Sequence, residues 1–180
     1  MEVCVDSVQS AKNAEIGGAC RVELCANLTE GGTTPSIGML KVIKQCISIP
    51  VFVIIRPRGG DFYYNATELD VMKEDIIHLK KAGADGFVFG ILTKDGEVDS
   101  DICKQFLDIV CPLPATFHRA IDMSRDVFQS LAVIKSLGFD RVLSSGGHCD
   151  ALQGVNTLKE MVKLADGMVT VMPGGGINAE

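Results

Sequence analysis

The sequence contains no run of apolar residues near the ~20 needed to cross a bilayer. It also has no basic segment leading into a hydrophobic stretch at its start. Neither a membrane span nor a cleaved secretion signal is therefore expected. It has no lysine- or arginine-rich tract: 17 Lys and Arg stand against 23 Asp and Glu, a net charge of −6. That balance offers no basic face for general nucleic-acid binding. There is no CxxC and no paired zinc-ribbon spacing. The seven cysteines, at 4, 20, 25, 46, 103, 111 and 149, are odd in number for a disulfide framework. They read as reduced thiols of a cytosolic or nuclear protein, and most of them as small buried hydrophobes.

Strand-length apolar segments are plentiful, and each is followed by a helix-period segment. The strand candidates are Glu2–Asp6, Arg21–Ala26, Pro50–Arg56, Gly86–Leu92, Ala115–Ala120, Arg141–Ser145 and Val169–Met172. Between them, Leu69, Met72, Ile76, Leu79 and Gly83 share one helical face, as do Val127, Leu131, Ile134 and Gly138. Glycines close the helices just before the next strand, at Gly17–Gly18, Gly83, Gly138 and Gly167. This alternation predicts a parallel α/β fold. Polar residues follow nearly every strand (Asp6, Asn27, Arg56, Thr93, His118, Ser144), which favours a TIM-type (β/α) barrel over an open sheet with one switch point. The expectation is one domain over residues 1–180, incomplete at the C-terminus with about seven of eight strands, and lacking the final helix–strand–helix.

Strand alternation turns Val3, Val5, Val22 and Leu24 toward the helices, and Glu2, Cys4, Glu23 and Cys25 into the barrel. On adjacent strands Cys4 and Cys25 fall on one side at similar height. Two such thiolates suit Cu(I) or another thiophilic ion. The competing reading is two small residues filling a barrel layer. Inward carboxylates need a partner, and Arg56 is the expected one for Glu2 and Glu23. In IRPRGGDF, Arg58 reads either as an anion-binding fork or as a salt-bridge partner of Asp61. In TFHRAID, His118 is a candidate acid, base, ligand or structural donor beside Arg119 and Asp122. Gly174, Gly175 and Gly176 in MPGGGI are either an anion-binding loop at a helix start or a tight turn. GGTTPS reads as a helix cap with Pro35 in the first turn. His78 is expected on a helix, and His148–Cys149 on a loop.

The motifs MEVCVDS, VELC, EGGTTPS, IRPRGGDF, GADGFVFG, TFHRAID and MPGGGI, in this order, resemble the CutC family of copper homeostasis proteins. The resemblance implies a (β/α)₈ barrel, copper binding, a cytoplasmic and also nuclear location, and homo-oligomers. Carried to this chain, it makes Cys4 and Cys25 the Cu(I) ligands, with copper as cofactor and partner. A second function stays open, that of an enzyme binding an anionic small molecule. There His118 or Glu23 would serve as base, Arg56 would hold the charge, and Glu2 and Asp122 would complete the set. A third is a shortened regulatory form that associates with longer copies.

Overall fold

The structure, a computed structural model, describes residues 1–178. Seven strands alternate with six α-helices: β1 Glu2–Val5, α1 Val8–Ile16, β2 Arg21–Leu24, α2 Ile37–Cys46, β3 Val51–Ile54, α3 Ala66–Lys81, β4 Gly86–Phe89, α4 Ser100–Val110, β5 Ala115–Phe117, α5 Val127–Leu137, β6 Arg141–Ser144, α6 Val155–Ala165 and β7 Thr170–Pro173. All seven expected strands are present, each within a residue or so of its predicted start, and most stop short of the predicted end. Asp6, Asn27, Arg56, Thr93 and His118, expected at the carboxyl ends, follow their strands, while Ser144 is the last residue of β6 and pairs with Pro173.

The contacts divide the chain into two compact units. The first is Met1–Asp61, Asn65–Phe89 and Ile109–Pro114; the second is Phe62–Tyr64, Gly90–Asp108 and the chain from Ala115 onward. In the first unit β1, β2, β3 and β4 pair parallel in chain order. Their register sets Cys4 beside Glu23, Glu23 beside Phe52 and Phe52 beside Gly86. Val22, Leu24, Val51 and Val53 are buried together with Leu40, Ile43, Met72, Ile76 and Leu79 from the helices. That two-sided burial explains the almost unbroken apolar run of β3. Successive parallel strands without a reversal of order, each joined to the next by a helix, follow the (β/α)-barrel pattern and not that of a doubly wound sheet.

In the second unit β5, β6 and β7 again pair parallel in chain order. Phe117 packs edge-on against Phe139 with ring centroids 5.4 Å apart, among Ile121, Leu131, Ile134 and Met161. The helix α5 begins at an Asp126 cap that accepts from the Phe128 and Gln129 amides. It ends at Gly138 with φ +87°, a conformation glycine adopts without steric cost. Pro35 lies outside the first turn of α2: Ser36 is the cap, accepting from the Met39 amide, and Pro35 precedes it. No helix among the described residues is long and apolar enough to cross a membrane.

Candidate functional site

The first unit gathers two thiols and two carboxyl groups on one face of β1 and β2. Alternation does this directly, because Glu2 and Cys4 face the same way as Arg21, Glu23 and Cys25. Cys4 Sγ lies 3.6 Å from Cys25 Sγ and 3.8 Å from Glu23 Oε1. Cys25 is 1% exposed and stands in an apolar cluster with Phe52, Ile54 and Val88. Cys4, by contrast, is exposed. Glu23 is 5% exposed, and its pKa is raised well above the usual carboxylate range, first by burial and then by Cys4 and Glu2. The Cys4 thiol is also pushed up, chiefly by its hydrogen bond to Cys25.

Arg56 does not take the place expected of it beside Glu2. Arg21 pairs with Glu2, and its guanidinium also stacks over the Phe52 ring at 4.8 Å. The strand register sets Glu2 against Arg21, so the ladder itself supplies the partner. Arg56 instead ties loops: its guanidinium donates to the carbonyls of Glu30 (2.5 Å), Gly32 (3.0 Å) and Gly60 (3.0 Å). Its backbone is clamped to Thr34 through both the amide and the carbonyl. Gly32, with φ +90°, lies against Cys25 so closely that an added Cβ would stand 3.2 Å from Cys25 Cβ and 3.6 Å from its sulfur. Arg56 therefore seats the glycine loop against the buried thiol. Arg58 is engaged by Asp61 at 3.1 Å and Glu68 at 2.6 Å, the salt-bridge alternative of the two sequence readings.

The second unit holds the other predicted residues. His118 follows β5 and caps a 3-10 helix, Arg119–Met123, with Nδ1 accepting the Ala120 amide at 3.3 Å. A neutral ring in this arrangement carries its proton on Nε2. The ring lies 4.9 Å from the Phe62 ring, and Gly90 leaves the space it fills: a Cβ there would come within 2.6 Å of Nδ1. Asp122 accepts from Ser144 Oγ (2.5 Å), the Ser145 amide (2.9 Å) and hydroxyl (3.0 Å), the Gly147 amide (3.0 Å) and Arg119 Nε (2.8 Å). Burial pushes its pKa up, but the bonds from Ser144, Arg119, Ser145 and Gly147 outweigh burial and hold it below the usual value. Gly174 donates to the Ser144 carbonyl, and Gly175 and Gly176 turn with φ +94° and +73°. An added Cβ on Gly175 would stand 3.1 Å from Arg119 Nη1. Any helix start after this loop falls outside the described residues.

The His148 carbonyl joins the second group, accepting from the Ser145 hydroxyl at 2.5 Å. His78 lies on α3, exposed, 3.6 Å from Glu74. His148 and Cys149 are exposed on a loop. Most of the cysteines depart from the buried small-hydrophobe expectation: only Cys25 and Cys103 are buried, Cys46 is half-buried, and Cys4, Cys20, Cys111 and Cys149 are exposed; burial pushes the Cys103 thiol up to about 12. Among the described residues no group of three or more His, Cys, Asp or Glu side chains is placed to hold a metal ion. The donor set at Cys4 and Cys25 is therefore a pair of thiols, which fits a soft ion of low coordination number better than tetrahedral zinc.

The CutC family model matches residues 1–180. The chain is 57% identical over 177 residues to the copper homeostasis protein cutC homolog of Homo sapiens, covering 98% of this chain and 65% of that one. To a CutC family protein of Parabacteroides distasonis it is 48% identical over 178 residues, covering 98% and 73% respectively. The chain thus spans 65% of the length of its human relative, and the same share of its mouse relative. A CutC crystal structure from Streptococcus agalactiae superposes with TM-score 0.93 at 36% identity, over 99% of this chain and 88% of that one. This match gives the chain the TIM-like (β/α)-barrel fold, with seven strands among its described residues.

Proposed function

Because the chain belongs to the CutC family, we propose that it serves copper homeostasis by binding Cu(I) between the thiolates of Cys4 and Cys25. The observation that carries this reading is the 3.6 Å separation of the two sulfurs, one on an exposed residue and one on a buried residue. Thiolates select Cu(I) over harder ions. Cu(I) bound there displaces thiol protons, and because Cys4 holds its proton more firmly than a free thiol does, uptake should strengthen as pH rises. Arg56 contributes by fixing Gly32 against Cys25, so that the buried sulfur has one defined position. Copper is the cargo in this reading, and the cytosol or nucleus is the compartment that keeps the thiols reduced. Self-association into homo-oligomers belongs to the same proposal.

The alternative, acid–base chemistry on an anionic small molecule, draws less support from the observed contacts. Arg56, Arg58 and Asp122 are engaged with neighbouring parts of the fold: Arg56 with the carbonyls of Glu30, Gly32 and Gly60, Arg58 with Asp61 and Glu68, and Asp122 with Ser144 and Ser145. An Asp122 whose pKa is held low by those donors makes a weak base.

Competition for Cu(I) between the reduced protein and a chelator of known affinity tests the proposal. The expected result is one ion per chain, lost in Cys4→Ser/Cys25→Ser and retained in Cys111→Ser/Cys149→Ser. Equal binding by the Cys4/Cys25 variant would rule the site out.

A further inference from the structure

We propose that the second unit binds a small zwitterion of the amino-acid class in a cleft between the loop after β4 and the start of α5. The cleft has a volume of about 120 Å³ and is lined by residues from 96–100 and 125–133, all of that unit. At about 10–15 Å³ for each water-sized group, the space takes roughly eight to twelve heavy atoms. Its two sides are joined at one point, where the Arg125 amide donates to the Gly96 carbonyl at 2.8 Å. Glu97 from the loop and Arg125 from the α5 side therefore line the same opening.

The polar groups of the lining fall into two sets. One is already engaged by the fold: Asp126 Oδ1 accepts the Phe128 and Gln129 amides at 2.9 and 3.0 Å, and the Ser130 hydroxyl donates to Ser124 at 2.9 Å. The other set has no partner. Among the described residues the Arg125 guanidinium and the Glu97 carboxylate enter no ion pair, although they carry opposite charges and flank one cleft. No hydrogen bond engages the side chains of Ser100 and Gln129 there either. Val98 and Val133 supply the apolar part of the lining. A ligand that satisfies this second set has a carboxylate for the Arg125 fork, an ammonium for Glu97 and an aliphatic group for the valines. An α-amino acid with a small branched side chain has all three, and L-valine falls within the size range. A simple anion would meet Glu97, and a simple cation would meet Arg125. The site is independent of the copper reading, since none of the cysteines lines it.

Titration of the reduced, isotope-labelled protein with L-valine, followed by amide chemical shifts, tests the site. Two analogues that each keep one charge are titrated alongside: isovalerate, which lacks the ammonium, and isobutylamine, which lacks the carboxylate. L-Valine should give saturable shifts confined to residues 96–100 and 125–133. Each analogue should need at least about tenfold more ligand for half-saturation, the loss of one charge-assisted contact. In Arg125→Gln the affinity for L-valine should fall to that for isobutylamine, and in Glu97→Gln to that for isovalerate. Both side chains are exposed, so neither change disturbs the core. Shifts that do not saturate, that lie outside the cleft, or that either analogue matches at the same concentration overturn the proposal. An affinity for L-valine unchanged in both variants overturns it as well.

Discussion

A carboxyl group as deeply buried as Glu23 is held neutral: burial, then Cys4 and Glu2, raise its pKa well above that of an exposed glutamate. The folded state therefore binds this proton more tightly than the unfolded chain does. The resulting stability is fully present below the unfolded value of about 4.3 and is lost as pH rises through the folded value. Glu23→Gln should remove that loss, so that the melting temperature of the wild type falls relative to the variant as pH rises above about 4.3. Parallel curves would show that Glu23 is not held neutral. Asp122 works in the opposite sense. Its lowered pKa stabilises the fold above the unfolded aspartate value, and that contribution fades as pH falls through the folded one. At this scale the facing of Glu2, Cys4, Glu23 and Cys25 was legible, because strand alternation has one period and no competitors. The partner of Glu2 was missed although Arg21 lies on the same face of the next strand, since the arginine cluster after β3 drew the assignment to Arg56. Gly32 and Gly90 were legible only as loop or strand residues. What they touch, Cys25 and the His118 ring, comes from distant parts of the sequence.

Among the elements, α3 has the most complete start. The Asn65 side chain accepts the Glu68 amide at 3.0 Å while Glu68 accepts the Asn65 amide at 2.8 Å, and the same Glu68 carboxylate holds Arg58 at 2.6 Å. Asn65→Ala should cost about 1 kcal/mol in urea unfolding and leave Cu(I) affinity unchanged, because the cap lies on a different element from the thiols. A loss under a quarter of that would show that the cap adds little to the fold. Helix ends were readable from glycine, as at Gly138, where one residue type answers one backbone conformation. The ends of β2, β3 and β4 extend too far in the sequence reading because Cys25, Ile55, Ile91 and Leu92 after them are still apolar. Where backbone pairing stops depends on the loop. Asn27 takes φ +53° and leaves the ladder, and His118 turns its ring back onto the Ala120 amide. Pro35 lies two positions before the first residue of α2, Ile37, because Ser36 takes the cap.

For the whole molecule, the recurrence of strand and helix carried the fold class, and parallel pairing in chain order within each unit is the pattern that recurrence predicts. The chemistry was less legible, since a pair of thiols in a strand pattern looks the same whether it packs a core or holds an ion. Their mutual distance and unequal exposure tip the reading toward an ion. The central claim is that both sulfurs ligate one copper, and X-ray absorption at the copper edge of protein loaded with one equivalent of Cu(I) tests it most directly. The account predicts a first shell of sulfur alone, which gains nitrogen or oxygen in Cys4→Ser or Cys25→Ser. A first shell in the wild type that contains imidazole nitrogen, or that is unchanged by either substitution, would contradict it.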